Sequence, residues 1–113
     1  LIFCDLYGPD GLDEQQLDPV FIQRCHNMLS DYGWLVLNCW QNHRGEAEGL
    51  RSLMDWFPVV KVCSVPGGNW IIIAGKRDED LSGKTLETKA KELSETLGFS
   101  LMPLLKRLED YGF

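Results

Sequence analysis

Asp5 directly follows the apolar run Leu1-Ile2-Phe3-Cys4. A short run that is apolar on both faces reads as a strand of a parallel sheet. Open α/β sheets take their ligands in the crevice beyond the carboxyl ends of such strands. A carboxylate there can accept a proton or hold a cation. It can equally bond the amides of the following turn, Tyr7-Gly8-Pro9-Asp10-Gly11, a common use of Asp in loops. Asp10 carries the same two readings further into the turn, and Tyr7 is placed to line a pocket. A second buried run, Trp34 to Trp40, ends in Asn38 and Trp40. These either touch a ligand or serve as a strand-end cap and a packing aromatic. His43, beside Arg44, has no partnered nucleophile or carboxylate at a telling spacing and reads as a solvated loop residue.

Cys4, Cys25, Cys39 and Cys63 each sit in an apolar stretch, none in a C-x-x-C pair. Neither His26 nor His43 lies at metal-ligand spacing from them. They read as small core residues of a cytoplasmic protein without structural metal.

The elements that must position these residues follow from local punctuation. Asp18 is a good N-cap with Pro19 at the first helical position, and Phe21, Ile22, Cys25, Met28 and Leu29 form one apolar face. Gly33 supplies the stop. After the Trp34–Trp40 strand, a helix from about Glu46 to Trp56 carries Leu50, Leu53 and Met54 on its stripe and ends at Pro58. Val59 to Val65 and Trp70 to Lys76 are strand-like, and Pro66-Gly67-Gly68-Asn69 between them reads as a hairpin turn. A helix bearing Leu86, Ala90, Leu93 and Leu97 follows, closed by Gly98. Ser100 then caps a short last helix with Leu101, Leu104, Leu105 and Leu108.

The order β-α-β-α-β-β-α-α is that of an α/β fold, the second half of a doubly wound domain whose mostly parallel sheet ends in an antiparallel hairpin. Residues 1–77 are expected to form that half and 78–113 a helical extension on it. A central strand needs neighbours on both sides, so the chain is expected to be cut from something longer. At 113 residues it fits one small domain, and 44% hydrophobic with 25% charged residues argues against disorder. No apolar run approaches the roughly 20 residues that span a bilayer. A net charge of −6 with scattered Lys and Arg disfavours nucleic acid and anionic membranes as partners.

The strand ends and the helix start resemble the spermidine synthase family, entered at the fourth strand of its methyltransferase-type fold. Asp5-Leu6-Tyr7-Gly8-Pro9 is similar to the family's D-x-x-D-P-like motif, Asp18-Pro19-Val20-Phe21-Ile22 to the helix opening, and Gly33-Trp34-Leu35-Val36 to the next strand. The resemblance covers Leu1 to Arg77. Gly8 stands where the motif has its second carboxylate, and the glycine-rich donor loop has no counterpart here; Pro66-Gly67-Gly68-Asn69 joins two strands and opens no helix.

What the resemblance implies is aminopropyl transfer to a polyamine from decarboxylated S-adenosylmethionine, or methyl transfer from S-adenosylmethionine. Asp5 would be the catalytic carboxylate, and Tyr7, Asp10, Asn38 and Trp40 would bind a small-molecule amine. With half of the donor site missing, the chain alone is expected to bind no cofactor and to be inactive. A non-catalytic interaction module is the other reading, in which the apolar first strand pairs with a second copy through the exposed sheet edge. A nicotinamide dehydrogenase would need a G-x-G-x-x-G loop, and the sequence holds none.

Overall fold

A computed structural model describes residues 1–9, 11–12, 14–40, 47–78 and 82–110. β1 (Ile2–Cys4) leads into a miniature antiparallel hairpin, β2 (Tyr7–Gly8) with β3 (Gly11–Leu12), and a 3-10 turn at Glu14–Leu17. Then come α1 (Pro19–Met28), β4 (Trp34–Trp40), α2 (Ala47–Trp56), β5 (Val59–Ser64) and β6 (Asn69–Gly75). The described chain ends with α3 (Gly83–Leu97), α4 (Met102–Leu105) and β7 (Leu108–Asp110).

The five-stranded sheet has the order β1-β4-β6-β5-β7. Among the described residues only β1 and β4 pair in parallel; β4–β6, β6–β5 and β5–β7 are antiparallel. The expectation of a mostly parallel sheet is therefore corrected. β1, β4 and β5 do point the same way, as α-helical crossovers require. The hairpin partner β6 inserts between β4 and β5, so these two, although they run alike, do not pair. A turn of the type II pattern makes this reversal: Gly68 N–H bonds Val65 C=O at 3.3 Å, Pro66 holds the second place, and Gly67 the third with φ 104°.

Strict alternation divides the sheet into two faces. Leu35, Leu37 and Cys39 of β4, Val60 and Val62 of β5, and Trp70, Ile72 and Ala74 of β6 are buried on one. Ile22 and Cys25 of α1 and Leu50 and Leu53 of α2, with Leu17, Leu29 and Phe57, close this core. Both crossover helices thus lie on one face, as right-handed connections dictate. The approach of α2 is close: a Cβ on Gly49 would stand 2.0 Å from the Leu17 carbonyl oxygen.

Asp18 caps α1 as its sequence suggests, its carboxylate accepting from Val20 N (2.8 Å) and Phe21 N (3.4 Å). The other end differs. α1 stops at Met28, not at Gly33, and Lys76 Nζ donates to the carbonyls of His26 and Leu29, both at 2.9 Å. A cation from β6's end thus satisfies the last carbonyls, where the helix dipole favours positive charge.

The second face carries Cys63, Ile71 and Ile73, with α3 and α4 over it. Leu86, Ala90 and Leu93 of α3 and Leu101, Leu104 and Leu105 enclose with them an open apolar cleft of about 500 Å³. No residue of α3 is fully buried. Gly98 ends this helix in the left-handed region at φ 81°. The predicted last helix is shorter than its leucine spacing suggests: it starts at Met102, with Ser100 Oγ accepting from Met102 N at 3.2 Å, and Leu108 belongs instead to an edge strand. There Lys61 and Asp110 form an ion pair across β5 and β7. Among the described residues no helix is long and apolar enough to cross a membrane.

Two outcomes follow from this packing. Gly49→Ala is expected to lower unfolding free energy by about 2–3 kcal/mol, the scale of an overpacked core, measured by urea denaturation. An unchanged midpoint would mean that α2 does not press on the 3-10 turn. Burial, with Cys25 and Cys39 thiols adding to it, pushes the Cys4 thiol from its ordinary 9.0 up to about 11. The unfolded chain releases this proton first, so the stability held by the neutral thiol is complete below about pH 9 and is lost as pH rises toward about 11. Denaturation midpoints followed across that window should fall, and Cys4→Ala should make the fall shallower; a mutant profile parallel to the native one would assign the loss to other groups.

Candidate functional site

Asp5 lies just beyond the carboxyl end of β1, and Asn38 lies near the same end of β4, the strand alongside. Parallel pairing alone brings them together from 33 residues apart in sequence: Asn38 Nδ2 donates to Asp5 Oδ1 at 3.0 Å. Asp5 is exposed, so its carboxylate is open to solvent and to small molecules. Trp40 closes the strand, the residue 41% exposed, and the ring of Tyr7 approaches its ring, centroids 5.4 Å apart and tilted by 35°. The Tyr7 hydroxyl donates to the Asn38 carbonyl at 3.0 Å, which fixes the phenol beside Trp40. Burial raises the Tyr7 pKa above its ordinary value, with Cys39 and the Asp5 carboxylate adding to the shift, so the hydroxyl stays protonated at neutral pH.

Four of the five sequence-predicted site residues, Asp5, Tyr7, Asn38 and Trp40, therefore form one cluster. The fifth, Asp10, lies outside the described residues, as does the segment 41–46 that follows β4. The exposed carboxylate and the two aromatic rings offer what an organic cation needs, charge on one side and π-faces on the other. Among the described residues no group of three or more His, Cys, Asp or Glu side chains could hold a metal ion.

Two members escape sequence reading. Gln16, in the 3-10 turn, is fully buried. Its Oε1 accepts from Leu6 N at 2.8 Å, and its Nε2 donates to the Asn38 carbonyl at 2.9 Å. One amide thus fastens the exit of β1 to the exit of β4. Its only sequence signal is the polar position just before Leu17, where the chain turns toward the Asp18 cap. Asn69 is the other. It opens β6, pairs in register with Trp40, and donates from Nδ2 to Asn38 Oδ1 at 2.8 Å. A turn-forming Asn between two strands gives no hint of that.

No protein family matches the sequence, and no curated protein matches it. Among solved structures the fold is similar to that of a probable spermidine synthase from Corynebacterium glutamicum, with a TM-score of 0.60 at 22% sequence identity. The match covers 82% of this chain and 37% of that protein. At that identity the likeness establishes a shared α/β architecture, and the chain spans well under half of the other protein's length.

Gln16→Leu keeps the volume but leaves the Leu6 N–H without its partner, and is expected to destabilise the fold by about 1–3 kcal/mol. Tyr7→Phe should cost less, about 1 kcal/mol or below, because Gln16 still serves the Asn38 carbonyl. Thermal denaturation of both variants checks the ranking; the reverse order would mean that Tyr7, and not Gln16, holds the strand ends together.

Proposed function

We propose that this chain forms the amine-acceptor side of an aminopropyltransferase-type site, as part of a larger spermidine synthase-like transferase. In that reading residues 1–77 are the second half of the transferase domain and residues 78–113 an extension of it. One observation carries the proposal: an exposed carboxylate at the end of β1, held by Asn38 from the adjacent parallel strand, beside the Tyr7–Trp40 ring pair. It lies where open α/β sheets bind ligands.

The chemistry is the attack of an amine nitrogen on the methylene beside the sulfonium of decarboxylated S-adenosylmethionine. The new C–N bond forms as the C–S bond breaks, and its electron pair returns to sulfur, leaving methylthioadenosine as a neutral thioether. The acceptor ammonium must first lose a proton, which Asp5 accepts as general base. Before that, the carboxylate and the aromatic faces hold the two cations within reach of each other. Asp10 would add a second carboxylate to compensate for Gly8. The donor's binding groups would come from residues beyond this chain. Methyl transfer is the nearest alternative, since Gly8 departs from the aminopropyl motif and fold alone does not choose the reaction.

A second reading, self-association, has its own observation. Among the described residues β1 pairs on one side only, and Leu1 and Phe3 are 84% and 61% exposed. An edge of this kind pairs readily with a second copy. The free cysteines suit a reducing compartment such as the cytoplasm.

Calorimetric titration of the chain with putrescine and with methylthioadenosine tests the first reading. Saturable heat is expected with putrescine and none with methylthioadenosine, whose binding groups would lie beyond this chain, and Asp5→Asn should weaken the amine by about tenfold or more, the scale of a lost charged contact. In a protein that carries both halves of the domain, Asp5→Ala should lower turnover by about 10²-fold or more; unchanged turnover would remove Asp5 from the mechanism.

A further inference from the structure

Asp5, Asn38 and Asn69 form a continuous hydrogen-bonded line from the end of β1 across β4 to the start of β6. Its polarity follows from chemistry. An ionised carboxylate only accepts, so Asn38 must turn its NH₂ toward Asp5. Its carbonyl oxygen then points the other way, and a group facing it must donate. Asn69 Nδ2 is that donor, at 2.8 Å. An acceptor in the same place would compete for the Asn38 amide and draw it away from Asp5.

Asn69 is itself fixed by backbone. Its carbonyl accepts from Val65 N at 2.9 Å, across the turn that reverses β5 into β6, and it stands opposite Trp40 in the ladder. We infer that Asn69 is a positioning residue: acting through the Asn38 amide, it sets the orientation of the Asp5 carboxylate, so that the hairpin turn takes part in the amine site. This rests on the acceptor-site reading above for its functional meaning, and on the hydrogen-bond geometry for its existence. The β5–β6 hairpin thereby joins the strand ends as a wall of the crevice, although none of its residues matches a transferase motif.

The test has two arms, run on the whole chain. In the first, the side-chain amide signals of Asn38 are followed by nitrogen-edited NMR. They should move both in Asp5→Asn and in Asn69→Asp, and move less in Asn69→Ser, which keeps a donor. Signals unmoved by Asn69→Asp would overturn the inference, because the nearly isosteric variant exchanges the donating amide for an acceptor that also carries charge. In the second, putrescine affinity is measured in a double-mutant cycle. Asn69→Ala, which removes the donor without adding a charge, should weaken binding by about tenfold in the native background and by much less in Asn38→Ala. Equal losses in both backgrounds would overturn the positioning role. A native chain that binds no amine would count against the acceptor-site reading, and the Asn38 signals would then decide the relay by themselves.

Discussion

The insertion of β6 between β4 and β5 is the constraint on which the rest of the molecule depends. β6 is hydrogen-bonded on both sides, and its alternate residues serve both layers at once: Trp70, Ile72 and Ala74 face α1 and α2, while Ile71 and Ile73 face α3. Its first residue meets the end of β4 at the crevice. Its far end delivers Lys76 to the last carbonyls of α1. One strand therefore sets the helix that precedes β4 and the polar line that ends at Asp5. A sheet made only of crossover-linked parallel strands would have no chain reversal at the ligand end, and so no Asn69 there.

Fold and candidate site also share the 3-10 turn. Leu17 belongs to the core and receives α2 at Gly49, while Gln16, one residue earlier, ties together the strand exits. A buried polar side chain is tolerable because the amide's carbonyl and amino ends both find partners. The local geometry at Asp5 is thus supported from beneath by a layer that is itself well packed.

What could be read from the sequence was whatever is decided locally. Asp18-Pro19 opens a helix because the cap and its amides lie within three residues, and Pro66-Gly67-Gly68 makes a turn because Gly67 and Gly68 both adopt positive φ. The run Trp34–Trp40 reads as a buried strand, but it is apolar at every position except Asn38, so which side faces the core emerges only in the fold. Non-local pairing was out of reach: no spacing within β5 and β6 says that the second of them passes between its neighbours. The same limit hid Asn69, whose partner Asn38 lies 31 residues earlier, and Gln16, 22 residues before its acceptor. Leu101, Leu104, Leu105 and Leu108 fit a helical period, yet the chain leaves the helix after Leu105 so that Leu108 can reach Cys63 on β5. Edge pairing outweighed periodicity there.

The unequal packing of the two sheet faces has a temporal consequence. The α1–α2 side is sealed by residues with little or no exposure, whereas α3 lies over an open cleft and keeps Leu93 half in water. Opening free energy follows buried apolar contact, so the two layers breathe on different clocks. The backbone amides of α3 would exchange their hydrogens through brief local departures from the sheet, and a protease would find this helix well before the crossover layer. The crevice at the strand ends belongs to the slower layer, and it would keep its shape through many such departures.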